Sequence, residues 1–167
     1  MKLTKEQLKK LTEHKKKGSH TTKHINDMKK YMIEGKSFKE AHKLAMTPKT
    51  YIPKTLTKED KKKQEKSIIE KKDRPKVSSY KSKRSSWVEQ FEKKYNKKIT
   101  DKSFINKNII SNEGQNQIIS KGKGAYYNTG SRPNQTAFSW SYARLASVIM
   151  NGPARKVDNK IWIQYKV

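Results

Sequence analysis

The sequence predicts a mainly α-helical protein, in which a lysine-rich helical arm precedes a small C-terminal domain of helices with one terminal strand. Three observations support this fold class. Helix caps followed by apolar residues at spacings of three, four and seven recur along the chain. A length of 167 residues allows one ordinary domain or two very small ones. Residues 1–86 hold 27 of the 41 Lys and Arg, whereas all three Trp lie in residues 87–167.

The N-terminal segment, residues 1–73, is predicted to be a basic helical arm. Thr4 and Gln7 are spaced as a capping box at the start of the first helix. Residues 21–46 are predicted to form a helical hairpin, because two apolar helical stripes flank Gly35. Glycine at that point favours a left-handed turn that ends the first of the two helices.

The second half of the arm offers few residues that could form a core. Thr47–Pro48 is predicted to end the hairpin. Residues 57–73 begin with a cap but contain only Ile68 and Ile69 as apolar residues, so a helix there needs a partner surface. Residues 74–86, which are rich in Ser, Lys and Arg, are predicted to be a basic linker. We therefore expect residues 47–86 to be largely disordered in the free protein.

Residues 87–167 are predicted to form the compact C-terminal domain. Ser86 and Glu89 have the spacing of a helix cap. A strong amphipathic helix is predicted over about 136–150, and the sequence Asn-Gly-Pro ends it. The last eight residues, KIWIQYKV, alternate apolar and polar side chains and predict a terminal strand.

A glycine-rich basic loop is predicted at residues 121–136, KGKGAYYNTGSRPNQT, directly before the strong helix. Glycine lets backbone approach a ligand, Tyr rings can stack on bases, and a helix N-terminus favours an anion. The predicted anion-binding or nucleic-acid-binding residues are Lys121, Lys123, Tyr126, Tyr127, Arg132, Arg144, Arg155 and Lys156. The alternative is a structured turn in which both Tyr lie partly in the core and Arg132 donates to backbone carbonyls.

The motifs of common catalytic and metal centres are missing from the sequence. There are no cysteines, which excludes disulfides and thiolate metal sites. Walker, GxGxxG, GxSxG and HExxH patterns do not occur. His20 and His24 are four residues apart, as a metal pair would be, but no third ligand has a matching spacing. We therefore predict a protein that is not an enzyme and that uses no cofactor and no metal.

The charge balance predicts a polyanionic partner. The formal net charge is +26 and the isoelectric point is about 10.1, which is typical of a nucleic-acid-binding protein. Without a base-reading helix, we expect non-specific binding, to DNA above all; the alternative is a lysine-rich surface that serves solubility. The chain shows neither a signal peptide nor an apolar run of about 20 residues, so we expect no secretion and no membrane span.

Four motifs in residues 121–158 carry a resemblance to a known family: KGKGAYY, GSRPNQT, a W-x-x-ARLAS helix and a KVD end. Together they resemble an uncharacterised C-terminal domain that recurs in proteins of large DNA viruses of algae and protists, and in some phages. The ending KIWIQYKV is longer and more strand-like than that family's pattern. The resemblance implies a viral setting but no established activity.

From this resemblance and the charge we expect a virion-associated structural protein without catalytic activity. It would be a minor capsid component or an internal protein that contacts the genome, with other virion or capsid proteins as further partners. Its location would be the virion, or the host cytoplasm or nucleus during infection. The alternatives are a non-virion nucleic-acid-binding protein of viral replication or transcription, and an enzyme that processes nucleic acid.

Overall fold

A computed structural model describes residues 3–17, 21–46, 51–128 and 130–167. The predictions for His20 and Thr47–Pro48 lie outside these residues. The chain divides into two compact units, Met1–Lys49 and Thr50–Val167. The first contains α1 (Lys5–Lys17), α2 (Thr22–Ile33) and α3 (Phe38–Met46). The second contains α4 (Lys58–Ile69), α5 (Ser86–Tyr95), α6 (Lys102–Asn108), α7 (Asn112–Asn128), α8 (Ala137–Ile149) and α9 (Pro153–Tyr165).

The prediction of a mainly helical protein is confirmed for the described residues. Among the described helices, none combines the length and the apolar character that a bilayer span requires. The helix-start signals act through their side chains at several places. At α1 the Thr4 hydroxyl accepts from Gln7 N–H at 3.2 Å, and the Gln7 side chain accepts from Thr4 N–H at 2.9 Å. At α5 the predicted cap is wrong, because Ser86 is already helical and Ser85 stands at the cap position without a side-chain hydrogen bond.

The first unit packs its three helices around a small apolar core. Gly35 adopts a φ of +87° between α2 and α3, in the left-handed region that glycine tolerates best. The Ser37 hydroxyl accepts from Glu40 N–H at 3.3 Å, and the Glu40 carboxylate accepts from Ser37 N–H at 3.0 Å, so α3 begins with a capping box. The buried core residues are Leu11, Met28, Met32 and Ala41.

The second unit is centred on the contact between α7 and α8. Gly122 of α7 faces Ser141 of α8, and a Cβ placed on Gly122 would lie 2.7 Å from the Cα of Ser141. Residues 121–128, predicted to be the first part of a loop, belong instead to the helix α7, where Gly122 permits close helix packing. The turn before α8 is shorter than the predicted loop at 121–136. The buried apolar core around this contact includes Phe91, Ile105, Ile110, Ile118, Leu145 and Val148.

The boundary between the units differs from the predicted one, because residues 50–86 belong to the second unit. Helix α4 buries Gln64, Ser67 and Ile68. The Gln64 amide donates to the carbonyl of Tyr51 at 3.0 Å and to that of Ser131 at 2.7 Å. The sequence prediction missed this contact because α4 is held largely by polar groups, which an apolar pattern does not reveal.

The predicted linker at 74–86 begins as an ordered segment against the turn before α8. Asn134, which has a φ of +60°, accepts from Val77 N–H at 2.7 Å and donates to the carbonyls of Val77 and Tyr80. The Asn134 N–H donates to the carbonyl of Pro75 at 3.1 Å. We call residues 71–84 the strap. Its first part is fixed by hydrogen bonds to residues that follow it by more than 50 positions, so local sequence patterns could not predict its order.

The predicted terminal strand is wrong, because α9 continues to Tyr165. Pro153 stands in the first turn, where its fixed φ favours a helix. Ile161, Trp162 and Tyr165 pack against the core at helical spacing, whereas Ile163 is 61% exposed. Over only eight residues, the alternation of apolar and polar side chains that is typical of a strand did not distinguish a strand from this helix. Beyond the helix, Lys166 forms a single antiparallel bridge with Ile110, so the C-terminal domain has no sheet in the described residues.

Candidate nucleic-acid interface

Two of the eight predicted binding residues, Lys121 and Arg144, pair with a buried carboxylate. The Asp158 side chain is fully buried. Arg144 donates to it through Nε at 2.7 Å and through Nη2 at 3.0 Å, and Lys121 Nζ lies 2.7 Å from Oδ1. Burial raises the pKa of Asp158, but the hydrogen bonds and charges of Arg144 and Lys121 outweigh it and hold the pKa below its usual value. This ion-paired triad joins α7, α8 and α9 and is a structural feature.

Arg155 also has a structural role. Its guanidinium carbon lies 3.5 Å from the centroid of the Trp162 ring, which is a close cation–π contact. The same guanidinium donates to the carbonyl of Val148 and, at 3.1 Å, to that of Ile149. These carbonyls belong to the last turn of α8, where C=O groups lack intrahelical partners. The Val148 carbonyl also accepts from Asn151 N–H at 3.3 Å. Arg155 thus closes the end of α8.

The two tyrosines of the predicted site differ in exposure, and neither presents a free hydroxyl. Tyr126 is fully buried; its hydroxyl accepts from Arg74 N–H at 2.8 Å and donates to the carbonyl of Gln135 at 3.0 Å. Burial raises the pKa of Tyr126. Tyr127 is half-buried, and its hydroxyl donates to Asp73 at 3.0 Å. The Tyr126 ring is thus a core group, not a stacking surface.

Arg74 is an important residue that the sequence prediction placed in the basic linker. It is only 5% exposed, and its guanidinium lies 4.8 Å from the Tyr126 ring centroid. It donates to the carbonyls of Ser67, Lys72 and Tyr126 and to the Ser131 hydroxyl. Burial lowers the pKa of Arg74. The five N–H donors of Arg suit this arrangement of neutral oxygens, which joins the strap to α4 and α7.

The remaining predicted residues, Lys123, Arg132 and Lys156, have exposed side chains. The N-terminus of α8 was predicted to bind an anion, but side chains of its own first turn accept hydrogen bonds from two of its backbone N–H groups. The Thr136 hydroxyl accepts from Ser139 N–H at 3.0 Å and the Ser139 hydroxyl accepts from Thr136 N–H at 3.1 Å. The predicted residues therefore do not converge on one anion at this helix end.

Lys123 instead lines a cavity of about 320 Å³ between α6, α7 and α8. Phe138, which lines it, is 56% exposed, and its ring centroid lies 4.5 Å from that of Tyr142. Two further lining residues are hydrogen-bonded, because Lys102 Nζ donates to Asn116 Oδ1 at 2.9 Å. The complete lining is Lys102, Asn116, Ile119, Ser120, Lys123, Phe138 and Tyr142. We call this the α6–α8 cavity.

The α6–α8 cavity has a composition that suits a nucleotide. An exposed aromatic ring can stack on a base, and two ammonium groups can contact phosphates. Asn116, Ile119 and Lys123 share one face of α7 at spacings of three and seven, and Phe138 and Tyr142 share one face of α8. The spacing of these residues could have indicated from the sequence that they share a helix face. It does so only if residues 112–128 are known to be helical.

A second group of polar side chains lies in the first unit. His14, His24 and His42 come from α1, α2 and α3, and one ring nitrogen of each lies within 4.8 Å of the others. The sequence prediction considered only His20 and His24 as a pair. Intervals of 10 and 18 residues between the three His match no local motif, so only the packing of α1, α2 and α3 brings them together.

The described part of the second unit is a small basic helical domain. Residues 48–160 match a family of unknown function, DUF5824. The chain therefore belongs to this family, and the match covers most of the second unit and only the last two residues of the first. Neither the curated proteins nor the solved structures contain a match to the chain.

Proposed function

We propose that this protein binds nucleic acid without catalysis and with little sequence preference. The observation that carries the proposal is the exposed Phe138 ring beside Lys102 and Lys123 in the α6–α8 cavity. An aromatic ring next to cations is the arrangement that accepts an unpaired base and its phosphates, whichever base it is. Single-stranded nucleic acid is therefore the preferred ligand at this cavity.

The strap supports the proposal by supplying ordered positive charge in the same unit. The second unit carries 27 Lys and Arg against 10 Asp and Glu. Several lysines of the strap are exposed: Lys71, Lys76, Lys81 and Lys83. Since Arg74 and Asn134 fix residues 74–80, the Lys76 charge loses less conformational freedom on binding than it would in a disordered linker.

Fluorescence anisotropy with a labelled 20-nucleotide single strand tests the proposal. Phe138→Ala should weaken binding by roughly 5-fold to 150-fold, because stacking contributes about 1–3 kcal/mol per base. Ile163→Ala, which removes an equally exposed apolar side chain from α9, is the matched control and should bind within about twofold of wild type. Equal effects of the two variants would show that Phe138 is not a stacking residue.

A second comparison in the same assay tests the charges. Log affinity should fall linearly with log salt, by about 0.7 per phosphate contacted in a single strand. The double variant Lys102→Gln/Lys123→Gln should reduce this slope by about 1.4. Lys107→Gln/Lys160→Gln removes the same charge from exposed positions outside the cavity lining and should reduce it less. Binding that barely responds to salt would instead indicate a protein partner.

We further propose that the protein acts as a structural component of a virus particle, as a minor capsid protein or an internal protein on the genome. The resemblance of residues 121–158 and the net charge of +26 support this setting. Mass spectrometry of purified particles should find the chain in a constant ratio to the capsid protein. Its absence from particles, together with DNA binding, would favour a role in viral replication or transcription.

A further inference from the structure

We propose that His14, His24 and His42 bind one Zn²⁺ ion that ties together the three helices of the first unit. Each helix contributes one ligand: α1 provides His14, α2 provides His24 and α3 provides His42. This site differs from the proposed nucleic-acid interface in both its residues and its chemistry. It lies outside the part of the chain that matches the family.

The three imidazoles lie together on the inner faces of their helices. The ring centroids are 4.8 Å apart for His14 and His42, 5.1 Å for His24 and His42, and 5.7 Å for His14 and His24. His24 is only 9% exposed and continues the stripe formed by the buried Met28 and Met32 at intervals of four. His24 thus takes the position of a core residue, which places its imidazole where it meets those of His14 and His42.

The distances allow tetrahedral metal coordination after small side-chain rotations. The three candidate ligand nitrogens lie within 4.8 Å of one another. A tetrahedral Zn²⁺ with bonds of about 2.0–2.1 Å holds its nitrogen ligands roughly 3.4 Å apart. Rotations about χ1 and χ2 that move each ring by about 1 Å close this gap. His14 and His42 are partly exposed, so a water molecule can reach the fourth coordination position.

The donor set selects the kind of metal. Cysteine is missing from the whole chain, and the described members of the group are three imidazoles and no carboxylate. Three nitrogen donors suit Zn²⁺, Cu²⁺ or Ni²⁺, whereas Ca²⁺ and Mg²⁺ prefer oxygen. Zn²⁺ has no geometric preference of its own and accepts the arrangement that three helices impose.

A metal ion would also stabilise the first unit, whose apolar core is small. This unit has 49 residues, five of the described ones are buried apolar residues, and it carries 14 Lys against five acidic residues. Units of this size rarely fold on an apolar core alone and are often stabilised by a metal or by disulfides. Since disulfides are impossible here, a bound ion would supply the cross-link between the three helices.

The test uses the full-length chain without a polyhistidine tag, after treatment with EDTA. Isothermal titration with ZnCl₂ should show one ion per chain. His14→Gln, His24→Gln and His42→Gln should each weaken binding by at least about tenfold, because even partners of metal ligands commonly matter that much. His20→Gln, the remaining histidine, is the matched control and should bind within about threefold of wild type.

Co²⁺ absorption on the wild-type chain gives a readout that does not depend on the folding of variants. Strong visible bands of a tetrahedral site, displaced by one equivalent of Zn²⁺, are expected. Weak octahedral bands, a stoichiometry other than one, or an equal loss of affinity in His20→Gln would overturn the proposal. A variant that fails to fold in the absence of metal, as judged by circular dichroism at 222 nm, is replaced by His→Asn at the same position.

Discussion

At the scale of single residues, Asp158 decides what two of the predicted binding residues do. Its buried carboxylate forms ion pairs with Lys121 and Arg144, both of which were predicted from the sequence to bind an anion or nucleic acid. A buried charge is tolerated when it is paired and hydrogen-bonded, and removing one partner leaves the other charge uncompensated. The same carboxylate lies where α9 departs from helical φ and ψ, so it joins three helices at a kink.

Asp158→Asn should destabilise the protein by about 3–5 kcal/mol at neutral pH, because Arg144 keeps its partly buried charge without a carboxylate. Urea unfolding measures the loss, with the exposed Glu89→Gln as the control. The folded pKa of Asp158 is lowered, so its contribution is present above the unfolded pKa of about 4 and disappears as the pH falls through the folded pKa. A loss no greater than that of Glu89→Gln would contradict this assignment.

At the scale of elements, the contact between α7 and α8 explains why Gly122 occurs in a helix. Gly122 stands against the backbone of Ser141, whereas a Cβ placed on Gly124 would have no neighbouring atom within 4 Å. Both glycines lower the intrinsic helix propensity of α7. Of these two, only Gly122 allows close packing of α7 against α8. Substitutions at the two positions therefore distinguish the effect of helix packing on stability from the effect of helix propensity.

Gly122→Ala should destabilise the second unit by about 1–3 kcal/mol, because the added methyl group overlaps Ser141. Gly124→Ala should instead stabilise it by up to about 1 kcal/mol, since alanine favours the helix and meets no neighbour. Urea midpoints of the two variants give the comparison. Equal shifts in the same direction would mean that α7 and α8 do not approach each other at Gly122.

At the scale of the whole molecule, the second unit extends over the segment predicted to be a disordered arm and linker. Helix α4 and the strap supply Gln64, Arg74 and Val77, which donate hydrogen bonds to residues within 126–134. Without α4 and the strap, the buried Tyr126 hydroxyl loses a donor and the Ser131 carbonyl loses the Gln64 amide. Such buried groups cost free energy when they have no partner.

A fragment of residues 50–167 should therefore fold cooperatively on its own, whereas a fragment of residues 87–167 should be markedly less stable or molten. Thermal unfolding followed by near-ultraviolet circular dichroism distinguishes them, because the Trp and Tyr signals report fixed packing. Hydrogen exchange on the full chain should also show protection across 58–69. Equal melting temperatures of the two fragments would indicate that the C-terminal domain begins at residue 87, as predicted from the sequence.

Features that depend on neighbouring residues or on composition could be predicted from the sequence alone. The caps at Thr4 and Ser37, the left-handed Gly35 and the limits of α8 follow from local backbone chemistry. The high positive charge needs no structure at all. The terminal strand was wrong because eight residues contain too few periods to separate alternation from a helix.

Tertiary packing, by contrast, determines which charges are free and which histidines meet. Lys121 and Asp158 are 37 residues apart, Arg74 and Tyr126 are 52 apart, and the three His come from separate helices. Ion pairs, buried hydrogen bonds and metal ligands depend on distances of a few ångströms between such residues. Those distances are set when the helices pack, and local sequence patterns do not determine them.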